Sequence, residues 1–152
     1  MLNERTMKKL FGFLLVVGLI STAFVKKEKQ EASNLILSEG IQFQKLTLEE
    51  AMKESKKTGK LIFIDAYTDW CGPCKKMAAT SFVDAEVAKL YNSKFINLKI
   101  EMEKSADGPI VAQKYSIRAY PSLLYINGEG KVAKSVVGFQ TAEQLTQIGN
   151  SL

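Results

Sequence analysis

Cys71 and Cys74 are the only cysteines in a chain of 152 residues, and Gly72 and Pro73 separate them. They stand where an apolar run, Leu61-Ile62-Phe63-Ile64, gives way to a helical pattern from Cys74 to about Thr80. A thiol at a helix N-terminus faces unsatisfied amides and the positive end of the helix dipole, which favours its thiolate near neutral pH. Cys71 is therefore the expected nucleophile, exposed at the helix tip. Cys74, one turn in and covered, is expected to attack a mixed disulfide and resolve it. Gly72 and Pro73 suit the turn, since proline needs no amide donor in the first helical turn.

Two plainer readings compete. A structural disulfide closing so short a loop would constrain little of the unfolded chain. A zinc half-site needs two further ligands, and the chain has no histidine and no third cysteine. No metal is expected.

Asp65, six positions before Cys71, is an acid within the apolar Phe63-Ile64-Asp65-Ala66. Burial without a partner would raise its pKa and suit it to exchange a proton with Cys74. The alternative is a strand-end aspartate in water. Trp70 is expected to shield the cysteines and meet partners, with a core tryptophan as its alternative.

The surrounding pattern predicts the elements that hold these residues. Ile41, Phe43 and Leu46 alternate with polar neighbours as in a half-buried strand. Thr47-Leu48-Glu49-Glu50 reads as a capping box opening a helix that Gly59 stops. Leu61 to Ile64 reads as a strand buried on both faces. A short helix follows from Asp84, then a strand over Phe95 to Ile100, and a helical turn or two over Ile110 to Tyr115. Ser122 to Ile126 and Lys131 to Val137 flank Asn127-Gly128-Glu129-Gly130 as an antiparallel hairpin. Thr141 opens the last helix. This order predicts an α/β fold with a mixed central sheet and helices on both faces.

Composition bounds the partners. With 46% hydrophobic and 24% charged residues, one globular domain is expected. Arg5, Lys8 and Lys9 against Glu4 supply +2 of the formal charge of +5. Elsewhere the charges are interspersed, with no basic block to track phosphates, so nucleic acid is not an expected partner. Residues 1–23 read as a signal peptide: Lys8 and Lys9, an apolar run from Leu10 to Ile20, then Ser21, Thr22 and Ala23. The competing reading is an uncleaved anchor reaching about residue 25, although it is shorter than a usual membrane span. Residues 24–38 read as a linker and 39–152 as the domain.

Residues 63–75, Phe-Ile-Asp-Ala-Tyr-Thr-Asp-Trp-Cys-Gly-Pro-Cys-Lys, resemble the thioredoxin active-site segment, in which a buried acid precedes the first cysteine by six positions. Asp65 matches that acid. Residues 115–123 are similar to the family's second landmark, a loop ending in a cis proline opposite the cysteines, and Pro121 matches that proline. Trp70, the cysteine pair, Lys75, Lys76 and Met77, with Phe82, Asp84 and Val87, are similar to the periplasmic C-terminal domain of the membrane-embedded disulfide interchange reductase. The chain departs from the pattern at Tyr120, at Ser122 and in a longer stretch from Glu103 to Tyr115, all near where a peptide would dock.

The resemblance implies a thioredoxin fold and a dithiol/disulfide exchange that needs no cofactor beyond the cysteine pair. It implies that Lys99 neighbours the acid and moderates its pKa. It also implies that Trp70, Gly72, Pro73, Tyr120, Pro121, Ser122 and Gly138 meet a partner, with the backbone at Tyr120 and Ser122 open to strand-like pairing. The partners would be protein thiols and disulfides together with an upstream electron donor or acceptor. The leading reading is an exported, monomeric reductase. The alternatives are an oxidase or isomerase with the same groove, a non-catalytic binding or chaperone module, and an envelope-tethered redox component held by the N-terminal segment.

Overall fold

The computed structural model describes residues 40–152. The expected signal or anchor segment and the linker lie outside these residues. Helix α1, Leu48–Thr58, begins at the capping box: the Thr47 side chain accepts from the Glu50 amide, and the Glu50 carboxylate accepts from the Thr47 amide. It ends at Gly59, whose φ of 74° is the left-handed conformation that glycine adopts without a Cβ clash. Strand β1, Leu61–Tyr67, runs next and leads through a tight turn into α2, Gly72–Ala79.

A 3-10 turn over Ser81–Val83 precedes α3, Ala85–Lys94, where Asp84 caps the amides of Glu86 and Val87. Strand β2, Phe95–Glu101, is followed by α4, Gly108–Lys114. The hairpin comprises β3, Ser122–Ile126, and β4, Val132–Val137. Helix α5, Ala142–Ser151, opens with a second capping box made by Thr141 and Gln144.

The sheet has four strands in the order β2-β1-β3-β4. β1 pairs in parallel with β2, and β1 with β3 and β3 with β4 are antiparallel. The mixed sheet expected from the sequence is thus present. Its two faces carry separate apolar clusters. Ile62, Ile64, Ala66, Leu98 and Leu124 pack on one side with Leu48 and Ala51 of α1 and Val111 of α4. Phe63, Leu123 and Tyr125 pack on the other with Met77 of α2, Val87 and Tyr91 of α3, and Leu145 of α5. Burial on both faces is why β1 reads as a continuous apolar run rather than an alternating one.

One expected element does not form. Residues 41–46 are extended but make no ladder: the Ile41 amide donates to the Phe82 carbonyl at 2.7 Å and the Gln44 amide to the Asn97 carbonyl at 2.8 Å. The alternation reports one-sided packing of Ile41 and Phe43 onto the core, which an extended segment achieves without strand pairing.

Candidate active site

The parallel pairing of β1 with β2 determines what surrounds the cysteines, because it brings the C-terminal ends of both strands to one edge. Beyond β1, Cys71 is the N-cap of α2, and its amide donates to the Thr68 carbonyl at 3.1 Å. Cys71 and Cys74 are joined in a disulfide with a Cα–Cα separation of 5.3 Å. The Cys71 sulfur accepts the Cys74 backbone N–H at 3.1 Å. In the dithiol state, an amide aimed at this sulfur stabilises a thiolate there more than at Cys74.

Exposure does not separate the two thiols as the sequence suggested. Cys71 and Cys74 are each only 3% exposed. The difference between them is the N-cap position of Cys71 and not accessibility. Pro73 occupies the first turn as expected, at its second position because the helix begins at Gly72. A Cβ at Gly72 would meet nothing within 4 Å, which places it against open space.

Asp65 is fully buried in β1, on the face that carries Phe63 and is covered by α2. Neither carboxylate oxygen has a hydrogen-bond partner. Lys99, in register with Asp65 on β2, brings Nζ to 3.8 Å from Oδ2. Burial pushes the Asp65 pKa up to about 7, and the charge of Lys99 opposes that rise without cancelling it. The water-exposed reading of Asp65 is thereby excluded, and Lys99 is its neighbour as the resemblance implies.

Trp70 is 66% exposed, so the core reading of this residue is wrong. Its indole N–H donates to the Glu103 carboxylate at 3.0 and 3.1 Å, and its ring stands T-shaped to that of Tyr120 with the centroids 5.8 Å apart. Lys104 pairs with Asp69, and Glu101 accepts the backbone amides of Asp69, Glu103 and Lys104. The turn after β2 therefore clasps the residues just before Cys71. Burial raises the Tyr120 pKa, and the charges of Glu103 and Glu101 raise it further.

The Tyr120–Pro121 bond is cis. The Pro121 carbonyl accepts the Gly138 amide at 2.8 Å, and Gly138 has a φ of 94° with open space where a Cβ would lie. Thus Trp70 and Tyr120 meet, as do Pro121 and Gly138. Ser122 differs from expectation: it is buried, its hydroxyl donates to the Ala119 carbonyl at 2.8 Å, and it is in register with Ala66 on one side and Val137 on the other. Its side chain braces the loop behind Pro121 instead of facing a partner.

Glu101, Glu103 and Lys104 escaped the sequence reading. They lie more than 30 positions from the residues they hold, and only the strand pairing shows the connection. Among the described residues, no group of three or more His, Cys, Asp or Glu side chains is placed to hold a metal ion.

A family model described as a thioredoxin-like domain matches residues 48–152. The chain belongs to the thioredoxin-like family. The family's activity is thiol–disulfide oxidoreduction through a Cys-x-x-Cys pair, here Cys71 and Cys74, without a bound cofactor. A solved structure of a proposed disulphide-isomerase from Bacteroides thetaiotaomicron is 42% identical, with a TM-score of 0.64 over 72% of this chain and 91% of that one. The thiol:disulfide interchange protein DsbD of Colwellia psychrerythraea is 32% identical over 65% of this chain, which spans 17% of that protein's length. A thioredoxin of Staphylococcus aureus is 33% identical over 62% of this chain and 85% of the relative.

Proposed function

We propose that this thioredoxin-like chain reduces protein disulfides, with Cys71 as nucleophile, Cys74 as resolving thiol and Asp65 as proton carrier. The observation that carries the reading is the Cys71 sulfur at the α2 N-cap, accepting the Cys74 amide, in a segment built over a buried aspartate that titrates near neutrality.

The Cys71 thiolate attacks one sulfur of a partner disulfide. That S–S bond breaks, and the departing sulfur leaves with the electron pair and takes a proton. Cys74 then gives its proton to the Asp65 carboxylate and attacks Cys71. The mixed disulfide breaks, the second partner sulfur leaves reduced, and the Cys71–Cys74 disulfide remains. Two electrons have passed to the partner. A dithiol donor must restore the pair by the reverse exchange. Trp70, Tyr120, Pro121 and Gly138 form the surface on which the partner lies, with Gly72 and Pro73 at its rim.

The likeness to a proposed disulphide-isomerase favours isomerisation as a second reading. The reduction potential of the Cys71–Cys74 couple decides between them. A value near that of thioredoxin, about −270 mV, supports the reductase; one near about −180 mV, as in protein disulfide isomerase, overturns it in favour of isomerisation.

Export is proposed on the charged-then-apolar pattern of residues 8–23 and on the likeness to DsbD. Among the described residues no helix is long and apolar enough to cross a membrane. N-terminal sequencing of the mature protein tests the proposal: cleavage after Ala23 supports a secreted domain, and an intact terminus in the membrane fraction supports the tethered form.

A further inference from the structure

Lys99 is held in a way its ion pair does not explain. Its side chain is 29% exposed and has water within reach, and at 3.8 Å from Asp65 it makes no hydrogen bond that would fix it there. Two aromatic rings complete its surroundings. The Lys99 Nζ lies 4.6 Å from the centre of the Tyr67 ring and 5.8 Å from that of Phe43, both within the range of cation–π attraction.

The geometry has an origin in the strand. Tyr67 is two residues beyond Asp65 in β1 and projects from the same face, so one cation on the neighbouring strand can meet both. Phe43 arrives from the extended segment before α1 and packs edge-on against Phe82 at 5.4 Å. The other carboxylates near Tyr67 are already engaged: Asp69 pairs with Lys104, and Glu101 accepts three backbone amides. Across β3, the residue in register with Asp65 is Leu123, which carries no charge. From the α2 side, Cys71 and Cys74 are silenced by their disulfide, and the two lysines of that helix, Lys75 and Lys76, are exposed, with Lys76 over the Phe139 ring and Lys99 the one cation acting on Asp65.

We propose that Tyr67, supported by Phe43, is a positioning residue whose ring holds the Lys99 ammonium beside Asp65 and so sets how firmly that carboxyl keeps its proton. The inference rests on Asp65 as the proton carrier of the proposed exchange. The ring supplies what the long ion pair lacks, a reason for the ammonium to stay over a buried carboxylate and not extend into solvent.

The test is the Asp65 titration, followed by carboxyl 13C NMR in the oxidised protein, where no thiol titrates. Tyr67→Leu is expected to raise the Asp65 pKa by roughly half a unit to one unit, and Tyr67→Phe to leave it near the wild-type value, since both aromatic rings present a π face. In a Lys99→Met background Tyr67→Leu is expected to add no shift. An unchanged titration in Tyr67→Leu overturns the proposal. A downward shift does so too, since water entering beside the carboxylate would cause it, as does a shift that persists without Lys99. If Tyr67→Leu does not fold, Phe43→Leu carries the same test with a smaller expected rise. Failure of the proton-carrier reading is separately visible: Asp65→Asn would then leave the rate of exchange unchanged, whatever the titrations show.

Discussion

Asp65 and Lys99 face one another in register across the parallel pairing of β1 and β2, 3.8 Å apart, and no hydrogen bond reaches either Asp65 oxygen. The pair is close enough to feel its Coulomb attraction and too far apart to neutralise the cost of burial, which leaves the acid titrating near pH 7. That is the balance the proposed role of Asp65 as proton carrier requires.

That balance gives a stability signature. Because the folded-state pKa lies above the unfolded value, the native state holds more protons between about pH 4 and pH 7, and wild-type stability falls as pH rises through that window. Asp65→Asn removes the buried charge. Chemical denaturation should find the variant more stable than wild type at pH 8 by on the order of 4 kcal/mol, with the difference shrinking toward zero by pH 4. A difference independent of pH would contradict a buried, titrating Asp65.

The order of attack is tested by trapping, because exposure does not distinguish the cysteines. Cys74→Ser should accumulate a mixed disulfide between Cys71 and a protein substrate, visible on a non-reducing gel and released by reductant. Cys71→Ser should accumulate none, and both variants should lose catalytic reduction. Mixed disulfides through Cys74 would reverse the assignment.

Much of this site was legible as local chemistry. The capping residues Thr47, Asp84 and Thr141 each lie where a hydroxyl or carboxylate precedes a helical run, and their signals are complete within four residues. Asp65 stood out as an acid inside an apolar strand. Glu101, Glu103 and Tyr67 did not, because ordinary turn and strand positions gain meaning only when β2 is laid beside β1 in register. Ile41 to Leu46 misled for the opposite reason: period-2 burial is shared by strands and by any extended segment lying on a core.

Glu103 should matter for partner capture more than for folding. Its contact with the exposed Trp70 indole contributes about 1 kcal/mol or less to stability. Without it the ring can leave its place against Tyr120, so Glu103→Ala should raise KM for a protein disulfide several-fold while leaving kcat close to wild type. Trp70 is the only tryptophan in the chain, so its fluorescence reports the change directly. A variant with altered emission and unaltered KM would separate the Glu103 contact from partner binding.

A glycine outside the site should reach the same ring. A Cβ at Gly108 would fall 2.5 Å from the Met102 carbonyl oxygen and 2.8 Å from that of Glu101, both backbone atoms that cannot swing aside. Gly108→Ala must therefore shift the turn that follows β2, and with it the Glu101 and Glu103 carboxylates that clasp Asp69 and Trp70. Gly72→Ala is the control, since its new methyl meets nothing within 4 Å although it sits beside Cys71. Thermal unfolding should show a loss of about 1–3 kcal/mol for Gly108→Ala and little for Gly72→Ala. Gly108→Ala should also alter Trp70 emission in the manner of Glu103→Ala. Unchanged emission would mean that the turn absorbs the methyl without moving the carboxylates that clasp Asp69 and Trp70.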